Sequence, residues 1–197
     1  MKGLVLAGGK GSRLRPVTSA LNKHLLSVYD KPMIYYPIAT LMAAGIREIL
    51  LISDVDSLKL YRELLGDGAH IGLTISYSAQ NEANGISEAF VIGKSFIGND
   101  KCALILGDNL FHGTGLGRQL MDLTDLTGCQ IFAHRVADPS NYGVVDFDAN
   151  GKPLHIIEKP VNSKSNYAIP GLYFFDNRVV YSFLTLTLRW NTVKNVF

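Results

Sequence analysis

Strand-like and helix-like segments alternate along the first 126 residues, and this alternation leaves few folds open to the chain. Lys2–Leu6 is a short apolar run that ends in glycines. Met33–Ala44 has apolar residues at helical spacing and stops at Gly45, a residue suited to a helix C-terminus. Glu48–Ile52, Leu73–Ser78 and Cys102–Leu106 read as buried strands. Ser57–Leu65 and Ile86–Ile97 read as the helices between them, and a helical stretch follows Gly115 to about Leu126. This order predicts an α/β protein with a mostly parallel mixed sheet and helices on both faces. Beyond it the texture changes. Gln130–Val136, Val144–Phe147, Leu154–Glu158 and Gly171–Phe175 are short strands separated by turn residues, which predicts mixed or antiparallel strands added to the sheet as a substrate-facing lobe.

With 197 residues there is material for one sizeable core rather than two independent domains. Hydrophobic residues make up 47% and charged ones 18%, a balance that excludes a disordered chain. The net charge of +2, with no long basic run, argues against a nucleic-acid or membrane partner while leaving local cations available for a phosphate. Gly3–Ala7 is too short for a signal peptide, and no stretch approaches the roughly 20 apolar residues that span a bilayer. Cys102 and Cys129 form no CxxC or Cys/His pattern and sit in apolar-leaning segments. They are expected to be buried reduced thiols of a cytoplasmic protein.

The first strand runs directly into Ala7-Gly8-Gly9-Lys10-Gly11-Ser12-Arg13-Leu14. Glycines allow positive φ and close backbone approach, so successive N–H groups can face phosphate oxygens at the carboxyl edge of the sheet, where ligands bind. A plain tight turn is the alternative. Two phosphate loops are excluded. Leu14 stands where a GxGxxG fingerprint needs its last glycine, and Lys10 is not followed by Ser or Thr as a GxxxxGK[ST] loop requires. Gly107-Asp108-Asn109 closes an otherwise apolar strand. A carboxylate placed there, beside bound phosphates, can hold Mg²⁺; a turn-forming Asp-Asn pair is the alternative.

The segments LAGGKGSRLRPVT, NKHLL, YDKPMIYYPI, LLGDGAHIGLTISYSAQ, LGDNLFHG, DPSNYGVVDFD and EKPVNSKSNYAIPGLYFFD together resemble the sugar nucleotidylyltransferases, most closely those acting on glucose 1-phosphate and dTTP. The likeness covers residues 1–180 almost without a gap. It implies a Rossmann-like nucleotidyltransferase fold, Mg²⁺ dependence and the two substrates just named. By the same resemblance Leu6, Gly8, Gly9, Gly11 and Ser12 cradle the triphosphate, Arg13 neutralises the leaving pyrophosphate, and Lys23 reaches the phosphates. Gln80 and Gly85 would read the pyrimidine, and Asp108 would hold the metal. Asn109, Tyr142, Gly143, Glu158, Lys159 and Ile169 fall on the sugar-phosphate side, with Glu158 accepting from sugar hydroxyls and Lys159 pairing with the phosphate. Taken alone, Lys23 would be a surface lysine and Glu158-Lys159-Pro160 an ordinary exposed strand end.

The chain departs from that family at several points. Ser27 stands for a usual proline, His24 for a usual glutamine, and the stretch Asn81–Glu88 lacks the common wording and adds the charge of Glu88. The resemblance places an incomplete nucleotidyltransferase domain at 1–180 and an atypical tail at 181–197. Relatives are expected to be homo-oligomers that continue for roughly another hundred residues, with a second metal-binding aspartate and an assembly region. Two readings therefore stand side by side: an active thymidylyltransferase, and a catalytically impaired remnant that binds nucleotide or sugar phosphate. A third is the same chemistry with UTP or another sugar phosphate.

Overall fold

The computed structural model describes residues 1–9, 11–81, 85–161 and 163–180. In chain order the strands are β1 (Lys2–Leu6), β2 (Ser27–Val28), β3 (Lys31–Pro32), β4 (Glu48–Ser53), β5 (Thr74–Ala79), β6 (Cys102–Leu106), β7 (Cys129–Ile131), β8 (His134–Arg135), β9 (Gly143–Phe147), β10 (Pro153–Glu158), β11 (Tyr167–Ala168) and β12 (Leu172–Phe175). The α-helices are α1 (Tyr35–Ala43), α2 (Val55–Leu65), α3 (Glu88–Ile92), α4 (Lys94–Ile97) and α5 (Leu116–Met121).

Among the described residues β5, β4, β1, β6, β12 and β7 form one sheet in that spatial order. The first four run parallel, and β12 and β7 close it antiparallel. Side chains alternate between the two faces of a strand. Val5, Ile49, Leu51, Ala103 and Ile105 therefore pack on one side against Ile38, Leu41, Leu58, Leu65 and Leu120 of α1, α2 and α5. Leu4, Leu50, Ile52 and Leu104 face the other side, where Ala89 and Phe90 of α3 and Ile97 of α4 cover them. Burial on both faces is why these strands are continuously apolar. The predicted doubly covered, mostly parallel mixed sheet is present.

Three expectations need correction. The helix predicted over Ile86–Ile97 is interrupted at Gly93. A Cβ there would lie 2.9 Å from the Ala89 carbonyl oxygen and 3.1 Å from Leu4 Cδ2, so the glycine lets this segment approach β1 closely. The single strand predicted over Gln130–Val136 serves two sheets. Its first part, in β7, joins the large sheet, while β8 pairs with β11. Between them Phe132 leaves the main sheet with its ring edge-on to Phe174, centroids 6.2 Å apart. The lobe is consequently a separate four-stranded antiparallel sheet, β10-β9-β11-β8, and not only an extension. The thiols differ from each other as well. Cys102 is buried, and desolvation pushes its pKa up to about 12, but Cys129 is exposed because β7 is the sheet's edge. No helix among the described residues is long and apolar enough to cross a membrane.

Candidate active site

Parallel strands deliver their carboxyl ends to one edge. Leu6 pairs with both Ile52 and Leu106, and Ser53 pairs with Ala79. The next residues continue the ladder: Ala7 N donates to Ile52 O (2.8 Å), Gly107 N to Leu6 O (2.9 Å) and Gln80 N to Ser53 O (2.8 Å). Leu6, Gly8, Gln80 and Asp108, separated widely in sequence, thereby meet at this edge.

The glycine turn leaves β1 with Gly9 at φ 110° and Gly11 at φ 53°, the latter in the left-handed region that favours glycine. The Gly11 carbonyl accepts from the Thr18 hydroxyl at 2.7 Å, and Ser12–Leu14 then form one 3₁₀ turn. A cleft of about 520 Å³ opens beside it, lined by Gly11, Ser12, Arg13, Lys23 and Asp108 among others. The Lys23 ammonium bonds the Asp108 carboxylate inside this cleft. Burial pushes the Asp108 carboxyl up, but the Lys23 bond and charge, with smaller help from His24 and Asn109, hold it below the ordinary range. Asn109 Nδ2 also donates to Asp108 Oδ1 (3.1 Å). Lys10 and residues 82–84 of the expected base-reading loop lie outside the described residues, as does the 181–197 tail.

Gln80 is buried, and its Nε2 donates to Glu88 Oε2 at 2.6 Å. A carboxylate only accepts, so the amide oxygen must point the other way. It lies 3.0 Å from where a Cβ on Gly8 would stand. Glu88 thus orients Gln80 through one of its carboxylate oxygens. Gly85 adopts φ 94° nearby in sequence.

Apart from Asn109, which follows β6 of the large sheet, the residues expected on the sugar-phosphate side converge at one end of the small sheet. Glu158 on β10 is the pairing partner of Gly143 on β9, and a Cβ on Gly143 would stand 3.1 Å from Glu158 Oε2. Lys159 N donates to Tyr142 O (2.9 Å), Ile169 N to Gly143 O (2.8 Å), and Lys159 Nζ lies 3.4 Å from Glu158 Oε1. Asn109, just past the end of β6, accepts through Oδ1 from Gly171 N at 3.0 Å at the start of β12, and the Glu158 charge on the small sheet adds to burial in raising the phenol of Tyr173 on β12. A larger hollow of about 690 Å³ lies on the small sheet, lined by Arg135, His155 and Lys164 among others, and holds none of the expected residues.

Sequence reasoning missed what stands behind the turn. Ser53 Oγ (2.8 Å), Asn22 Nδ2 (3.1 Å) and Tyr61 OH (3.4 Å) all donate to the Ala7 carbonyl. Asp54 caps α2 by accepting from Ser57 N at 2.9 Å, a pairing that Asp-x-x-Ser at a strand–helix junction could have signalled.

A parallel sheet whose carboxyl edge carries a glycine turn, an arginine and a lysine–aspartate pair defines a nucleotide-handling α/β protein, and the chain belongs to the nucleotidyl transferase family, which matches residues 2–191. Among curated relatives, the glucose-1-phosphate thymidylyltransferase of Mycobacterium tuberculosis strain H37Rv is 56% identical over 180 residues, 91% of this chain and 62% of that protein. The enzyme of that name from Neisseria meningitidis is 49% identical over 181 residues, 91% of this chain and 63% of its own. The chain therefore spans less than two thirds of the length of these relatives. A Bacillus anthracis protein provisionally described as a glucose-1-phosphate thymidylyltransferase, solved in complex with sucrose, superposes with TM-score 0.86 at 34% identity, covering 99% of this chain and 76% of that one. A UDP-glucose pyrophosphorylase complexed with UDP-glucose superposes at 0.76 with 25% identity, covering 93% and 78%.

Proposed function

We propose that the chain carries the nucleotide and sugar-phosphate sites of a dTTP:glucose-1-phosphate thymidylyltransferase. The observation that carries this reading is a pair of clusters. The glycine turn, Arg13, Lys23 and Asp108 lie at the carboxyl edge of the large sheet, and Gly143, Glu158 and Lys159 lie at the end of the small sheet, where the Glu158 charge acts on Tyr173 of β12. The substrates are those of the relatives named as glucose-1-phosphate thymidylyltransferases.

In the proposed reaction an oxygen of the sugar 1-phosphate forms a bond to the α-phosphorus of dTTP as the bond to the β-phosphate oxygen breaks, releasing pyrophosphate. The attacking phosphate is already ionised at neutral pH, so no residue has to remove a proton. What the site must supply is positive charge and alignment of two anions. Gly8, Gly9, Gly11 and Ser12 offer backbone N–H groups to the triphosphate, and the Arg13 fork suits two oxygens of the departing pyrophosphate. Lys23 is held at the cleft ready to exchange Asp108 for a phosphate. Gln80, oriented by Glu88, and Gly85 take the base, while Glu158 and Lys159 take the sugar hydroxyls and phosphate.

The donor set at Asp108 fits Mg²⁺, which is commonly held by one or two carboxylates with substrate phosphates completing the shell; no cluster of three acidic, histidine or cysteine side chains occurs among the described residues. Bound there, the ion would supply charge shielding for the two anions. The proposal includes the division into a nucleotidyltransferase portion over 1–180 and a distinct tail.

The test is paired: pyrophosphate release with dTTP and glucose 1-phosphate, and calorimetric binding of dTTP alone. Turnover supports the enzyme. Binding without turnover supports the impaired remnant, and neither signal removes the reading.

A further inference from the structure

We propose that His24 is a positioning residue which, through Asn22, braces the phosphate turn against the end of β6 and so holds the Lys23–Asp108 pair in register. The inference deepens the functional reading above and rests on it for its consequence, although not for its geometry.

The Asn22 amide joins three elements. Its Nδ2 faces the Ala7 carbonyl (3.1 Å), the Asp54 carboxylate (3.2 Å) and the Ser57 hydroxyl (3.1 Å). Ala7 is the last residue before the two glycines, and Asp54 and Ser57 form the N-terminus of α2. A carbonyl and a carboxylate can only accept, so this nitrogen end of the amide is fixed, and the Oδ1 end must face His24. Oδ1 takes both the His24 backbone N–H (3.0 Å) and its ring Nδ1 (2.6 Å). The ring hydrogen is accordingly on Nδ1, and the imidazole cannot rotate without breaking that bond.

On its other side the ring wedges against β6. His24 is 1% exposed. A Cβ on Gly107 would lie 2.9 Å from His24 Cδ2 and 3.2 Å from the Ala7 Cα, so Gly107, Ala7 and the imidazole are in close contact. The next residue after Gly107 is Asp108, and the one before His24 is Lys23. The backbone of His24 is pinned as well, its carbonyl accepting from Ile34 N at 2.9 Å. The spacing between the Lys23 and Asp108 backbones is therefore set by one buried ring and one amide. A shorter or rotating side chain at 24 would free both ends of the pair together with the Ala7 anchor of the turn.

Lysine accessibility in the 197-residue chain reads this directly. Acetic anhydride labelling, quantified by mass spectrometry, is compared at Lys23 and at the exposed Lys59 and Lys164 in wild type, His24→Ala, His24→Leu and His24→Gln. Loss of the brace raises Lys23 labelling several-fold over the reference lysines in the Ala and Leu variants. Gln, which can still donate to Asn22 Oδ1, returns it to the wild-type level. Melting by circular dichroism identifies the folded variants, and Leu keeps the volume should Ala fail to fold. Unchanged Lys23 labelling in a folded Ala or Leu variant overturns the proposal, as does a Gln variant that labels like Ala. The same variants are titrated with dTTP. A wild type that binds no dTTP defeats the functional reading while leaving the labelling result to decide the brace.

Discussion

Lys23 and Asp108, 85 residues apart in sequence, are bonded to each other inside the cleft that the glycine turn lines. Each group neutralises the other before any ligand arrives. Under the proposed function an incoming triphosphate would offer Lys23 new acceptors and release Asp108 for a cation, so that the pair would exchange partners instead of exposing bare charge. Asp108→Asn keeps the shape and removes the charge. Turnover is expected to fall by orders of magnitude with a melting temperature close to the parent's, because both groups are partly exposed and such pairs contribute about 1 kcal/mol or less to folding. Rate assays across a Mg²⁺ series check this. If saturating Mg²⁺ brings the variant to the parental rate, Asp108 is not the metal carboxylate.

Arg13 follows the left-handed Gly11 and lines the same cleft. Its contact is expected to matter most as charge moves onto the leaving pyrophosphate. Loss of one preorganised transition-state contact costs roughly 10²–10³ in turnover, so Arg13→Ala should lower kcat by that order while leaving dTTP affinity less affected. Steady-state kinetics with dTTP varied separates the two. A normal kcat with a raised KM would move Arg13 to ground-state binding.

The sheet was legible because its strands are buried on both faces and so appear as apolar runs, Glu48–Ser53 and Cys102–Leu106 most clearly. The glycine turn was legible for a related reason: its chemistry is local in sequence. What could not be read depends on distant partners. Nothing near Gly93 in sequence announces Leu4, and nothing in Gln130–Val136 says that the segment will divide between two sheets. The brace was invisible in the same way. Asn22, His24 and Glu88 read as polar residues or departures from a family pattern, and only the fold shows that His24 bonds Asn22 and that Glu88 bonds Gln80. Residues proposed for the sugar-phosphate side rest on resemblance alone, since an exposed Glu-Lys-Pro strand end carries no signal of its own.

Gly143 is a sharper test of that side. Its missing Cβ leaves room for the Glu158 carboxylate, 3.1 Å from where the carbon would be. Gly143→Ala should push Glu158 aside without disturbing the nucleotide turn. A lost hydrogen bond to a charged group costs about 1.5–3 kcal/mol, or roughly tenfold to a hundredfold in affinity. The KM for glucose 1-phosphate is expected to rise by that range with the KM for dTTP nearly constant. Equal effects on both substrates would show that the substitution disturbs the whole site.

Stability in Mg²⁺-free buffer should depend on pH through His24. Burial, and secondarily the Lys23 charge, lower its pKa from the ordinary 6.5 to about 4. Above 6.5 the ring is neutral folded and unfolded, so it adds no pH dependence. Between 6.5 and 4 the unfolded chain takes up a proton that the folded chain refuses, so stability is lost as pH falls, by about 3 kcal/mol over the full shift. Asp54 and Asp108, with lowered carboxyl pKa values, add their loss below the ordinary carboxylate range. Thermal melts at steps from pH 7 to pH 4.5 should show a falling midpoint, flattened in His24→Gln. A parent and variant with parallel profiles would place the sensitivity elsewhere.

The small sheet has an edge that predicts how the chain behaves at high concentration. All six residues of β10 are exposed, and β10 is the outermost strand of its sheet. Leu154 is 60% exposed, Ile156 42% and Ile157 43%, so apolar side chains accompany a backbone edge that has no strand partner among the described residues. Edges of this kind are templates for strand pairing with another copy unless charge or proline blunts them. Here a proline stands only at the first position, and the charged Glu158 comes at the far end, beside the expected sugar-phosphate residues. The chain is therefore expected to associate with rising concentration. Leu154→Lys and Ile156→Lys place charge on the exposed strand without touching the large sheet, and should shift the onset of association upward. Sedimentation velocity over a concentration series measures it. A parent that stays monodisperse throughout would show that this edge is already protected, and association unaltered by either lysine would assign it to another surface.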